Sequence, residues 1–178
     1  KFAPVNIHEV LEHVAALAET ETLGNIAIER NYDPSIPEIH GDRGQLIQAV
    51  LNIVRNAIQS LANCTEPVPT IKLKTRIQRH FTIGKTHHKV VCRIDVIDNG
   101  PGIPDDIVDR IFFPMISGRV GGSGLGLPIS QSAINLHHGL IECENKQGET
   151  CFSLYLPLEN NPLENNHLEN KPLDTLHE

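Results

Sequence analysis

Three groups of residues in this chain of 178 have types and spacing suited to chemistry. The first is Asn52 and Asn56. At about 100° per residue on a helix they point nearly the same way, roughly opposite Val50, Val54 and Ile58. Two stacked carboxamides suit a hydrated Mg²⁺ and phosphate oxygens. A solvated helix face is the plainer reading. The second group is Asp98-Asn99-Gly100-Pro101-Gly102-Ile103-Pro104. Cys92, Ile94 and Val96 share a strand face, and Asp98 continues it past the strand end. A carboxylate emerging on the buried face needs a donor, and the exocyclic amine of adenine is one. The glycines let the backbone pass close under a flat base. A strand-ending turn is the plainer reading. The third group is Gly121 to Gly126, leading through Leu127-Pro128 into a helix. Free N–H groups at a helix start form an anion site aided by the helix dipole. Neither GxxxxGK[ST] nor GxGxxG is present. A flexible linker, the remaining reading, rarely interleaves Leu with Gly in this way.

The elements that position these groups follow from periodicity. Val5 to Thr20 is predicted as a helix with Ile7, Val10, Leu11, Val14 and Leu17 on one face and Asn6 as N-cap. Ile26 to Asn31 is predicted as a strand, with Asp33-Pro34-Ser35 as turn chemistry. Asp42 caps a second helix running to about Leu61, whose apolar stripe includes Ile47, Val50, Leu51, Val54, Ile58 and Leu61. Pro67 and Pro69 end that unit. A first long strand turns Ile71, Leu73, Thr75 and Ile77 one way and Lys72, Lys74 and Arg76 the other. A second spans about His88 to Ile97, with Gly84 in the hairpin between them. Pro128 sits in the first turn of a helix reaching about His137. Two strands, Leu140 to Glu144 and Cys151 to Leu156, turn around Gly148.

Composition narrows the function classes. Hydrophobic residues at 39% allow a proper core. Aromatics at 4%, without Trp, and a net charge of −7 speak against a nucleic-acid partner. An anionic ligand is then held by local donors and not by the overall field. Cys64, Cys92, Cys143 and Cys151 form no CxxC pair and have no His at zinc spacing. They read as small core residues in a reducing, cytoplasmic compartment. No apolar run reaches transmembrane length and no signal peptide opens the chain, so no membrane insertion is expected. The start at Lys1 suggests a fragment of a longer protein.

From Pro157 a five-residue repeat begins: PLENN, PLENN, HLENK, PLDTL. Too few copies are present to stack a solenoid core, and the prolines block helix. Residues 158–178 therefore read as a disordered acidic tail. It carries net −4, which leaves −3 to the rest.

Each group is ambiguous alone, but in order and spacing together they resemble the N, G1, F and G2 boxes of the histidine-kinase branch of the GHKL ATPases. The N box is Asn52 to Asn56, the G1 box Asp98 to Gly102, the F box Phe112-Phe113-Pro114-Met115 and the G2 box Gly122 to Gly126. Within the branch, LNIVRNAIQ (51–59), IDVIDNGPGIP (94–104), FFPMISGRVGGSGLGL (112–127) and the hairpin over 71–97 are similar to the nitrogen-regulation kinases of the NtrB type. Met115, where most of the branch has Phe, and the single Gly148, where GxG is usual, both look NtrB-like. Pro128 in place of Ser suits a helix start. The resemblance spans about residues 1–157.

That resemblance implies a two-layer α/β sandwich of the Bergerat (GHKL) ATP-binding type, a mixed sheet with helices on one face. It implies ATP and Mg²⁺ as cofactors. Asp98 would read adenine, with Thr150 fixing the base through water and Gly100 and Gly102 lying beneath it. Asn52 and Asn56 would hold phosphates and metal, Asn56 as the metal ligand. The backbone of Gly122, Gly124, Leu125 and Gly126 would cradle the phosphates, under a lid over 115–123. Arg119 would stabilise the transferring phosphoryl group. The partners implied are a histidine-containing dimerisation domain, an NtrC-like response regulator and a PII-like signalling protein. The acceptor motif, His-Glu followed by Pro, is missing: His8-Glu9 is the only His-Glu pair, and position 13 is His. His8 thus reads as an ordinary surface histidine, and His87-His88 and His137-His138 as structural or exposed. Hydrolytic relatives place a base Glu where this chain has Asn52, which disfavours hydrolysis. A regulatory module that binds ATP or ADP and a signalling protein remains the alternative.

Overall fold

The computed structural model describes residues 1–112, 126–146 and 148–158. The elements run β1 (Ala3–Val5), α1 (Ile7–Glu21), β2 (Ala27–Asn31), β3 (Ile39–Gly41), α2 (Arg43–Leu61), β4 (Thr70–Ile83), β5 (Thr86–Asp98), a 3-10 turn at Val108–Arg110, α3 (Gly126–Leu136), β6 (Leu140–Lys146) and β7 (Glu149–Pro157). Five strands form one sheet in the order β2-β4-β5-β7-β6. β2 runs parallel to β4, and every other neighbour is antiparallel. The sheet is therefore mixed, and the helices cover one face, making the two-layer α/β sandwich expected from sequence.

Alternation builds the layer contact. Ile71, Leu73, Cys92, Ile94, Val96, Phe152, Leu154 and Leu156 are buried on the helix-facing side. Against them α1 sets Ile7, Val10, Leu11, Val14, Ala15 and Ala18. α2 sets Leu46, Ala49, Val50, Ile53, Val54, Ala57 and Leu61. Both stripes are rotated slightly from the sequence reading. Leu17, Ile47, Leu51 and Ile58 are only half-buried and flank the stripe, because small alanines occupy the line of closest approach. Thr75, fully buried among these apolar side chains, is satisfied twice. It accepts the Asp33 N–H at 2.9 Å and bonds His8 Nε2 at 2.8 Å. His8 also stacks on Tyr32, ring centroids 4.8 Å apart. It is a half-buried latch between α1 and the sheet, not the surface histidine expected, and that packing was invisible without Thr75 in β4 and Tyr32 after β2.

Helix starts are set by capping. Asn6 is extended at φ −80°, ψ 114° and accepts the His8 N–H, so α1 begins at Ile7 and not at Val5. Val5 instead pairs with Ile39 in a two-stranded sheet of β1 and β3. Strands this short carry no readable periodicity. At α2 the Asp42 side chain accepts the Gln45 N–H at 3.1 Å. The β4–β5 hairpin closes between Ile83 and Thr86 through Gly84 at φ +60°, the two-residue loop its length demands. At the other end of the chain, the Leu158 N–H donates to the Val90 carbonyl at 3.2 Å. Leu158, expected in the tail, is thus bonded to β5. Residues 159–178, most of the acidic repeat, lie outside the described residues.

Asp42→Ala is expected to lower unfolding free energy by about 1 kcal/mol, read from urea midpoints, while Asp42→Asn, which keeps the acceptor, stays near wild type. An unchanged midpoint in Asp42→Ala would remove Asp42 as the start signal for the helix that carries Asn52 and Asn56.

Candidate functional site

The site lies where three elements meet: the last residue of β5, the middle of α2 and the start of α3. Asp98 terminates β5 and is 3% exposed. Its Oδ1 accepts the Gly100 N–H at 2.9 Å, so the chain turns immediately over the carboxylate. Thr150 pairs with Asp98 across β5 and β7, and Asn145 pairs with Thr150 across β7 and β6. The three side chains make a polar row at one end of an otherwise apolar face. A cost of desolvation attaches to each of them unless it is bonded. Thr150 Oγ1 donates to Asn145 Oδ1 at 3.4 Å.

The loop after Asp98 is pressed against its surroundings. A Cβ on Gly100 would lie 2.9 Å from Asp98 Oδ1 and 3.3 Å from Ser60 Oγ. Gly102 has φ +88°, and a Cβ there would lie 2.6 Å from Asn145 Oδ1. At Gly102 the positive φ favours glycine, and at both places a Cβ would force a packed side chain to shift. Beyond the loop, Phe112 meets Phe152 edge-on at 6.3 Å, and Ile111 is buried. Residues 103–112, which contain no glycine, are thus tied to the core through Ile111 and Phe112.

Asn52 and Asn56 share a face of α2, as the spacing predicts. That face is half-buried and not a solvated one. It turns toward α3, where Ser130 Oγ donates to the Ala49 carbonyl at 2.8 Å and is itself fully buried. Gly126 opens α3, and a Cβ built on it would lie 3.8 Å from the Asn52 Cβ. Asn52 Nδ2 is buried and bonds no group among the described residues. A buried amide donor left so costs about 1–3 kcal/mol. It stands beside a helix start, where backbone N–H groups favour anions. Donor, helix start and acceptor carboxylate together fit a ligand with a polyanionic end and an amine-bearing flat end. Among the described residues no three His, Cys, Asp or Glu side chains gather to hold a metal ion, so a cation here would rest on carboxamides and on the ligand's own oxygens.

The site thus brings together Asn52, Asn56, Asp98, Gly100, Gly102, Gly126 and Thr150. Phe113 to Met115, Arg119, Gly122, Gly124 and Leu125 lie outside the described residues, as does the expected lid. Sequence reasoning missed Asn145 and gave Asn99, though within the second group, no role of its own. A signal for Asn145 existed: strand alternation after Ile141 and Cys143 puts it on the inward face. The cysteines take no part. Burial pushes the thiols of Cys92 and Cys143 up to about 12, so both stay neutral fillers. A separate cavity of about 280 Å³ lies at the far end of β5, lined by Ile83, Thr86, His88, Asn135, His138 and Gly139. It shares no residue with the site.

With this geometry, comparison with known proteins is specific. Residues 41–160 match the family described as histidine kinase-, DNA gyrase B-, and HSP90-like ATPase. The chain is 46% identical over 153 residues to the sensory histidine kinase/phosphatase NtrB of Vibrio alginolyticus, covering 86% of this chain and 43% of that protein. The chain therefore spans less than half the length of the curated relatives it matches. Among solved structures, the catalytic domain of histidine kinase ThkA superposes with a TM-score of 0.71 at 28% identity, covering 89% of this chain and 96% of that one. ThkA in complex with response regulator protein TrrA gives 0.68 at 25%, covering 89% and 42%. Full-length ShkA in complex with AMPPNP gives 0.70 at 26%, covering 90% and 32%.

Gly102→Ala tests the close approach. Placing a Cβ at φ +88° against Asn145 should cost roughly 1–3 kcal/mol. It should also weaken adenine-nucleotide binding in titration calorimetry. Wild-type stability and affinity in this variant would mean that the loop does not sit as described.

Proposed function

The chain belongs to the histidine kinase-, DNA gyrase B-, and HSP90-like ATPase family, and from that premise we propose that it binds Mg-ATP and donates the γ-phosphoryl group to a histidine on a separate dimerisation domain, as part of an NtrB-type nitrogen-regulation kinase. The observation that carries this reading is Asp98. A carboxylate 3% exposed at the end of a central strand, roofed by glycine backbone, accepts hydrogen bonds and donates none. It would take one from the exocyclic amine of adenine, with Thr150 beside it.

The remaining residues have separate tasks. Asn52 and Asn56 would hold phosphate oxygens and the hydrated Mg²⁺, Asn56 as metal ligand. Gly126, with Gly122, Gly124 and Leu125, would offer backbone N–H groups to the phosphates, and Arg119 would counter charge on the transferring group. When bound, the nucleotide supplies the phosphoryl group and the metal neutralises its charge. The protein's part is orientation and electrostatics. Asn52 is no base, so water is poorly activated and hydrolysis is slow. The acceptor histidine would come from the dimerisation domain, an NtrC-like response regulator would receive the phosphoryl group next, and a PII-like protein would tune the balance. The complex of ThkA with TrrA supports the second partner by analogy. No described helix is long and apolar enough to cross a membrane, which suits a cytoplasmic module. The acidic repeat after Leu158 is proposed to be dispensable for this binding.

Asp98→Asn should weaken Mg-ATP binding by roughly 1.5–3 kcal/mol, the worth of a charge-assisted hydrogen bond, with the protein still folded; equal affinities in calorimetry would sink the assignment of Asp98. With radiolabelled ATP, the chain alone should show negligible self-labelling. An added NtrB-type dimerisation domain should become labelled, weakly, because the tether's effective concentration is lost. Acid-labile phosphate on this chain alone would overturn the proposal, and ATP binding without transfer would favour a regulatory module. Truncation after Leu158 should leave both the thermal midpoint and ATP affinity unchanged.

A further inference from the structure

The roles assigned above leave Asn145 unused, yet its side chain holds the loop that roofs Asp98. The Ile103 N–H donates to Asn145 Oδ1 at 3.0 Å, and Asn145 Nδ2 donates to the Ile103 carbonyl at 2.7 Å. This is the two-point pairing that a neighbouring strand would offer the same residue. The other end of the loop is held by a second carboxamide. Asn99 Oδ1 accepts the Thr70 N–H at 2.9 Å, and Asn99 Nδ2 donates to the Val68 carbonyl at 2.9 Å. Between the two lie Gly100, Pro101 and Gly102, with no side chain of their own to hold them except the proline ring. Gly102 faces Asn145 Oδ1 so closely that a Cβ would fall 2.6 Å from it.

We infer that Asn145 is a positioning residue for base selectivity: by fixing Ile103 it sets the height of the 100–103 loop over the Asp98 carboxylate. This rests on the adenine-nucleotide reading of the site. Asp98 offers only acceptors. A purine with an amine at C6 donates to such a group, whereas one with a carbonyl at C6 sets acceptor against acceptor beside a carboxylate only 3% exposed. Discrimination of that kind lasts only while the base is prevented from sliding until the clash is relieved. The loop is what prevents it, and its two carboxamide clamps stand in for a sheet neighbour. Thr150, bonded to the same Asn145 oxygen and paired in register with Asp98, ties the clamp to the floor it calibrates.

The test compares wild type with Asn145→Ala and Asn145→Asp, the latter nearly isosteric and able to accept from Ile103 but not to donate to it. Mg-ATP and Mg-GTP affinities are measured by calorimetry, with hydrogen exchange of residues 99–104 and the thermal midpoint read on the same proteins. Wild type should bind ATP well and GTP poorly. Asn145→Ala should lose roughly three- to tenfold in ATP affinity, the range for a neutral hydrogen bond. Its GTP affinity should be unchanged or improved, so that the ATP-to-GTP ratio falls. Exchange at Gly102 and Ile103 should quicken, and Asn145→Asp should lie between the two. In transfer to an added dimerisation domain, KM for ATP should rise while kcat at saturation holds. A parallel loss for both nucleotides, or an unchanged ratio, would overturn the inference even though the chain binds ATP. Failure of wild type to bind ATP would overturn the nucleotide reading itself, and this inference with it. If Asn145→Ala does not fold, Asn145→Asp carries the same comparison.

Discussion

A carboxylate buried at the end of β5 constrains the architecture around it. Charge in an apolar layer is costly unless it is bonded, and Asp98 emerges from a strand face made of Cys92, Ile94 and Val96. The chain meets the cost locally by turning at once, so that the Gly100 N–H reaches the carboxylate. That turn favours glycine at 100 and 102, because a Cβ there would push on the Asp98 and Asn145 side chains and Gly102 has a positive φ. It also forces polar neighbours in register, Thr150 and Asn145, where the sheet would otherwise continue apolar. A carboxylate has two oxygens and only accepts, so it can take more than one donor, and in the proposed function one of these is the amine of the ligand.

The helices answer to the same end of the sheet. α2 buries one face on the sheet and turns the next toward α3, so its two asparagines stand in the seam between helices and not in open solvent. The seam is held by Ser130 on the Ala49 carbonyl and, farther along, by His137. Its Nε2 accepts the Asp42 N–H at 2.9 Å, and its Nδ1 bonds the Ala133 carbonyl at 2.7 Å. His137 thus ties the capped start of α2 to the end of α3, and the helix bearing the asparagines cannot shift without the helix that Gly126 opens. The rigidity suits a site whose work is orientation.

Much of the site was legible because its signals are local. Helical spacing placed Asn52 beside Asn56, strand parity carried Asp98 onto the buried face, and Asp42 and Asn6 announced the helices they cap. What was misread depended on partners distant in sequence. His8 looked like a surface residue because Thr75 and Tyr32, which enclose it, lie in other elements. A solvated face stayed open as an alternative for the two asparagines because nothing in residues 43–61 reveals that α3 covers them. The clamp from Asn145 to Ile103 joins residues 42 apart, and no local pattern reports such a pairing.

The sequence by itself determined the periodic elements, the caps and the order of chemically suited clusters, since each is set by contacts within a few residues. It also determined the family likeness, which those clusters carry in order. Only the tertiary structure decided which polar side chains are buried and what satisfies them. Burial depends on what packs above a residue, and a hydrogen bond's second partner is chosen by the approach of another strand or helix. The row of Asp98, Thr150 and Asn145 exists because antiparallel register aligns positions 98, 150 and 145 across three strands, and register is a property of the folded sheet.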